Sequence, residues 1–96
     1  MNVRFSRLAL AELEDILSDL AQKDIGAAER FHARIQQITE RLGQFPNSFQ
    51  EVAERPGIRR VPLLRYPYLV FYRIFDEEVI VLRVVHGARK EPWEYL

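Results

Sequence analysis

Cysteine is absent from the 96 residues, so neither a disulfide nor a thiolate-held metal can carry this fold. An excess of one charge sign is missing too, because 14 basic residues balance 14 acidic ones. A formal net charge of zero argues against strong bulk attraction to nucleic acid or membrane and leaves open only a local basic patch. No run approaches the ~18 consecutive apolar residues that a membrane span needs. The opening Met1-Asn2-Val3-Arg4-Phe5 also lacks the apolar stretch of a secretory leader. These absences lead us to expect a cytoplasmic protein with no membrane attachment, no metal and no cofactor.

Apolar residues, by contrast, are plentiful at 48%. A chain of this length is enough for one domain and too short for two, so residues 1–96 are expected to form a single domain. Small domains bury a smaller fraction of their surface, which leaves apolar surface for a partner.

Asn2 to Phe5 alternate polar and apolar, the period of a short strand. Ser6 follows as an N-cap. Ala9, Leu13, Ile16, Leu17 and Leu20 then recur on one face of a helix running from Arg7 to about Gln22. Lys23-Asp24-Ile25-Gly26 breaks the pattern, with Gly26 supplying backbone freedom. A second helix is expected from about Ala27 to Gln44, with Ala28, Phe31, Ile35, Ile38, Leu42 and Phe45 as its apolar stripe. Two such helices with a short break read as an antiparallel hairpin. Pro46 ends it, and Pro56-Gly57 marks a turn.

Three strands follow. Ile58 to Leu64 is expected at a sheet edge because of Pro62. Tyr68 to Phe75 and Val79 to His86 form a hairpin around Asp76-Glu77. A two-residue turn there puts Leu69, Phe71, Phe75, Ile80, Leu82 and Val84 on one face, and Arg73 falls on it awkwardly. Tyr68, Val70, Tyr72, Val81 and Arg83 share the other face. The first set is the more apolar and is expected to meet the helices, leaving the second bare for a macromolecular ligand. The fold class is therefore α+β: a short N-terminal strand, an antiparallel helical hairpin, then a C-terminal antiparallel sheet.

That order, together with particular residues, resembles the RelE/ParE toxin superfamily. The stretch Ser6-Arg7-Leu8-Ala9 with Leu13 and Ile16 looks like the family's first helix. Ala28-Glu29-Arg30-Phe31 through Leu42-Gly43-Gln44-Phe45-Pro46 is similar to the second helix and its exit. Gly57-Ile58-Arg59-Arg60, Tyr68-Leu69-Val70-Phe71-Tyr72-Arg73 and Leu82-Arg83-Val84-Val85-His86-Gly87-Ala88-Arg89 complete the match. It covers nearly the whole chain, and its specificity lies in order and spacing rather than in any one motif. The resemblance implies a type II, plasmid-stabilisation-type toxin, neutralised in a hetero-oligomer with an antitoxin encoded beside it. The ParE branch inhibits DNA gyrase without a known catalytic site. The RelE branch cleaves mRNA on the ribosome.

Metal-free ribonuclease chemistry needs a base, an acid and cations for the phosphorane. By resemblance to the RelE branch, Arg59, Arg89 and Tyr95 match its basic and C-terminal tyrosine positions, and His86 is able to exchange protons near neutrality. Glu51 and Glu54 lie in the loop where some ribonuclease members keep a glutamate. Tyr68, however, stands where those members usually carry an arginine, and Val61 replaces a second basic residue. The balance favours a non-enzymatic, ParE-like gyrase inhibitor; the alternatives are a RelE-like endoribonuclease and a non-toxic binding remnant of the same fold. Arg59, Arg60, Tyr68, Tyr72, Arg83, Arg89 and Trp93 are the residues expected to contact a target or partner.

Each has a plainer account. Arg59, Arg60 and Arg65 solvate a strand edge, His86 is a hydrogen-bonded strand end, and Tyr68 and Tyr72 are strand aromatics with wet hydroxyls. Arg83, in an otherwise apolar strand, needs a carboxylate or phosphate partner. Glu12, Glu14, Asp15 and Asp19 read as a solvated helix face. Trp93, Tyr95 and Leu96 are expected to fold back as a lid on the sheet edge, or else to dock on a partner. An antitoxin segment is expected to lay a helix on the hairpin or to add a strand to the sheet.

Overall fold

The computed structural model describes residues 1–88 and residue 96. Its elements are β1 (Asn2–Phe5), α1 (Arg7–Lys23), α2 (Ile25–Gln44), β2 (Arg59–Pro62), β3 (Tyr68–Phe75) and β4 (Glu78–His86).

Ser6 caps α1, its hydroxyl accepting from Ala9 N at 3.0 Å. A single residue, Asp24, joins the helices. Its N–H donates to Leu20 O at 2.8 Å and closes α1, while its carboxylate accepts from Gly26 N at 3.0 Å and opens α2. The break expected over Lys23–Gly26 is thus one residue long, and Gly26 lies inside α2. Asp24 does both jobs because its side chain supplies the acceptor that the first free N–H groups of α2 lack.

The sheet order is β1-β4-β3-β2. The last three strands are antiparallel, whereas β1 pairs with β4 in parallel, so the sheet is mixed. β2 is the expected edge strand, though shorter than Ile58–Leu64. Asp76 and Glu77 both take positive φ, 50° and 62°, as a two-residue hairpin turn of the type I′ kind requires.

The helices lie on one face of the sheet. Ala9, Leu13 and Ile16 of α1 and Phe31, Ile35, Ile38 and Leu42 of α2 pack with Val61, Leu63, Val70, Tyr72, Val79, Val81 and Val84. The sheet faces are therefore the reverse of the sequence expectation along β3 and the first half of β4, while Val84 meets the helices as expected. The Val70/Tyr72/Val81 row meets the helices, and the Leu69/Phe71/Phe75 row turns away. The register slips at Phe71/Tyr72, where Tyr72 pairs with Val81 but Phe71 pairs with Arg83. Leu82 is the extra residue of this bulge, and it lets both Val81 and Val84 face the helices.

The face turned away is not bare. Val52 and Ile58 from the loop before β2, with Leu96, pack on Phe71, Val85, Leu69 and Leu82. Phe75 at the hairpin end remains 53% exposed.

Candidate functional site

β1 ends opposite Val81, and among the described residues no strand pairs with the rest of the β4 edge on that side. Side chains from the start of α1 take its place. Ser6 N donates to Val81 O at 2.9 Å, and Ser6 Oγ donates to Leu82 O at 3.0 Å. Glu12 Oε1 accepts from Val84 N at 3.0 Å. The same carboxylate accepts from Arg83 Nε at 3.0 and 3.1 Å and from Nη2 at 2.7 Å. This is the partner that the sequence demanded for Arg83, which is only 7% exposed. Glu12 therefore does not belong to a solvated helix face. Its carboxylate compensates a buried guanidinium and completes a strand edge.

Arg59 and Tyr72 are paired across β2 and β3, and both hold the chain that leaves α2. Arg59 Nη1 donates to Phe49 O at 2.6 Å and Asn47 O at 3.3 Å. Tyr72 OH donates to Pro46 O at 2.6 Å. Burial pushes the Tyr72 phenol above its usual pKa of 10.0, and the Arg59 guanidinium pulls it part of the way back. Tyr72 is fully buried, so its hydroxyl serves the loop and is not wet.

Tyr68 and His86 pair at the other end of the hairpin. The Tyr68 ring stands edge-on to Phe31 at 5.7 Å and to His86 at 5.6 Å. His86 is exposed, and its Nδ1 accepts from Ala88 N at 3.1 Å, which places the remaining ring proton of the neutral form on Nε2. Arg59 pairs with Tyr72 and His86 with Tyr68, so they sit four residues apart along β3, on strands either side of it. That geometry separates their Cα atoms by roughly 16 Å. The structure thus does not bring Arg59 and His86 together. Arg60 is exposed on β2, and Glu51 and Glu54 are exposed in the loop before it. Arg89, Trp93 and Tyr95 lie outside the described residues, as does most of the expected tail lid. Among the described residues, no group of three or more His, Asp or Glu side chains is placed to hold a metal.

A concave surface lies elsewhere, between α2 and the β2 edge. A groove of about 550 Å³ runs between Arg34, Gln37 and Arg41 of α2 and Val61 and Pro62 of β2, with Phe49 and Leu64 as apolar walls. An adjoining hollow of about 420 Å³ shares Arg34, Gln37 and Leu64 and adds Arg30, Arg65 and Tyr66. Leu64 is 67% exposed. Arg65 holds a positive φ of 75° in the turn closed by Tyr66 N to Leu63 O at 2.8 Å. The Arg41 guanidinium carbon lies 5.9 Å from the ring centroids of both Phe45 and Phe49. Sequence reasoning read Arg65 only as solvating a strand edge and did not group the arginines of α2. The signal was present, since Arg30, Arg34 and Arg41 are spaced by four and seven residues and share one helix face.

A helical hairpin on one face of a small mixed sheet is the arrangement of the RelE/ParE toxin fold. The chain belongs to the ParE toxin family of type II toxin–antitoxin systems, parDE, whose family model matches residues 3–91. It is 32% identical to a putative toxin, Y4kP, of Sinorhizobium fredii, over 94% of this chain and 92% of that protein. It is 27% identical to toxin ParE3 of Caulobacter vibrioides, over 85% and 82% of the two chains. Among solved structures, a chain of the chromosomal ParDE toxin–antitoxin system from P. aeruginosa superposes with a TM-score of 0.78 at 25% identity, covering 90% of this chain and 95% of that one. The isolated E. coli RelE toxin shares the fold, with a TM-score of 0.60 at 18% identity and coverage of 98% and 92%. Membership in a parDE family implies an antitoxin partner.

Proposed function

We propose that this protein is a cytoplasmic toxin that acts by binding and inhibiting DNA gyrase, and that its antitoxin, encoded beside it, holds it inactive in a hetero-oligomer. The observation that carries the non-enzymatic reading is the placement of Arg59. Its guanidinium is held by two backbone carbonyls, on a strand two positions from His86 and about four residues along the sheet. A ribonuclease needs its cation and its proton carrier around one phosphodiester. Tyr68, where ribonuclease members keep an arginine, adds no fixed charge beside His86. Membership in the ParE family supports the same choice of target. Of the residues expected to meet that target, Arg60 is exposed and Tyr68 partly so.

Two assays run side by side test this. The purified chain is expected to inhibit supercoiling by gyrase and to leave ribosome-bound mRNA uncut. Cleavage that disappears in His86→Ala or Arg89→Ala overturns the proposal in favour of a RelE-like endoribonuclease. Inertness in both assays, with the antitoxin still bound, identifies a remnant that has lost toxicity.

A further inference from the structure

We propose that the groove between α2 and the β2 edge receives an acidic segment of the antitoxin, anchored centrally by an apolar side chain. This rests on the toxin–antitoxin reading above and adds to it where the antitoxin sits and what chemistry it brings.

Charge is the first argument. Among the residues lining the groove and its adjoining hollow, Arg30, Arg34, Arg41 and Arg65 face a single carboxylate, Glu40. Arg30 is drawn partly aside, to Asp24 at 3.4 Å, and Arg34 Nη1 donates to the neutral Gln37 Oε1 at 3.3 Å. A chain with zero net charge has thus concentrated cations along one groove, which selects an anionic occupant over a neutral one. Apolar exposure is the second. Leu64 projects from the turn after β2, and Phe49 lines the same groove. A segment with only carboxylates leaves these two uncovered.

Backbone geometry then restricts the mode of binding. On the outer edge of β2, Arg60 N already donates to Gln50 O at 3.1 Å. Pro62, two residues on and so aimed the same way, has no N–H to donate. Strand addition along β2 is therefore blocked at successive outward positions, and recognition must run through side chains. Arg34 and Arg41 stand two turns apart, about 10 Å along α2. Acidic residues at a similar separation on the antitoxin, flanking one apolar residue, satisfy the groove. The turn residue Arg65 adds a third cation from the opposite wall, held there at positive φ.

The test uses the full chain and the purified product of the gene adjacent to its own. Their affinity is measured by titration calorimetry at low and high salt, for the wild type, for Arg34→Glu/Arg41→Glu, and for Arg7→Glu/Arg73→Glu. The last variant carries the same change in net charge away from the groove. The wild-type complex is expected to weaken as salt rises. The groove variant is expected to lose on the order of 100-fold in affinity, while the control stays within a few-fold of wild type. Melting curves, with Arg34→Gln/Arg41→Gln as a milder pair, separate lost binding from lost folding. Wild-type-like affinity in the folded groove variant overturns the groove assignment alone. An equal loss in the control also overturns it, since net charge then suffices. A wild-type chain that does not bind the neighbouring product at all removes the pairing itself and the groove with it.

Discussion

The two margins of the sheet treat their arginines in opposite ways. Beyond β1, Arg83 lies in the protein, gripped by both oxygens of Glu12, and the pair closes a strand edge that would otherwise face no neighbour. Beyond β2, Arg34, Arg41 and Arg65 stand around an open groove with one carboxylate among them. A buried cation must be compensated within its own chain, because leaving it unpaired is costly. An exposed cation carries no such obligation, and where several converge on a concavity the compensation is available to come from another molecule. The first margin therefore reports on folding and the second on recognition.

The largest effect should come from breaking the inward pair. Glu12→Ala strips the carboxylate from both Arg83 and Val84 N and is expected to cost about 3 kcal/mol, near the low end for a buried pair with some solvent access. For a domain of this size that corresponds to a fall in Tm of roughly 15 °C. Urea unfolding measures it directly. Replacing both partners, as Glu12→Leu/Arg83→Met, should recover much of the loss, because no buried charge is then left alone. A double variant no better than Glu12→Ala would show that the carboxylate matters mainly as the acceptor for Val84 N.

Arg59 blurs the contrast, since it belongs to the groove margin yet is turned inward. It holds Phe49 O and Asn47 O, and Phe49 is a wall of the groove. Arg59→Ala is expected to cost about 2 kcal/mol, the scale of hydrogen bonds from a charged donor. Because the loop between α2 and β2 is what it holds, protease nicking between residues 45 and 58 should rise more than global unfolding does. Unchanged nicking would mean that Tyr72 alone holds this loop through Pro46.

Arg65→Gly sharpens the contrast with a smaller and opposite effect. A left-handed backbone costs an L-residue about 1 kcal/mol, and glycine avoids that cost. The variant is expected to unfold at slightly higher denaturant, by up to about 1 kcal/mol, yet to bind the antitoxin several-fold more weakly. Stability and affinity moving together in the same direction would place Arg65 in the fold and not in recognition.

Much of this architecture was legible in the residues. The stripe Phe31, Ile35, Ile38 and Leu42 announced α2, Ser6 announced its cap, and Asp76-Glu77 set the hairpin register. The choice of sheet face was not read correctly, because both rows of β3 are apolar and both do bury surface, one under helices and one under residues 52–58. Arg73 was the discriminating residue: an exposed charge in mid-strand marks the row that turns away from the helices. The bulge at Leu82 has no local signature at all. Glu12 lies 71 residues from Arg83, so its role becomes visible only once α1 is laid along β4. In the same way the arginine stripe on α2 is a periodicity in the sequence, but it becomes a groove only when the Leu63–Tyr66 turn stands opposite.

The smallest effect is a pH dependence that shows only in alkali, and it concerns Tyr72, the residue that fastens the groove wall from within. Its phenol is raised above 10.0 by burial, so the unfolded chain loses this proton before the folded one does. The contribution is therefore fully present below about pH 10 and is lost as pH rises through the higher folded-state value. The Arg59 guanidinium softens the loss without reversing it, because burial is the larger cause. Urea midpoints measured from pH 8 to pH 11 should hold steady and then fall, more steeply in the wild type than in Tyr72→Phe. The variant gives up the hydrogen bond to Pro46 O, so it starts from lower stability, and only the difference in slope carries the information. Parallel slopes would mean that water reaches the phenol, and that the loop over it opens as readily as the groove outside.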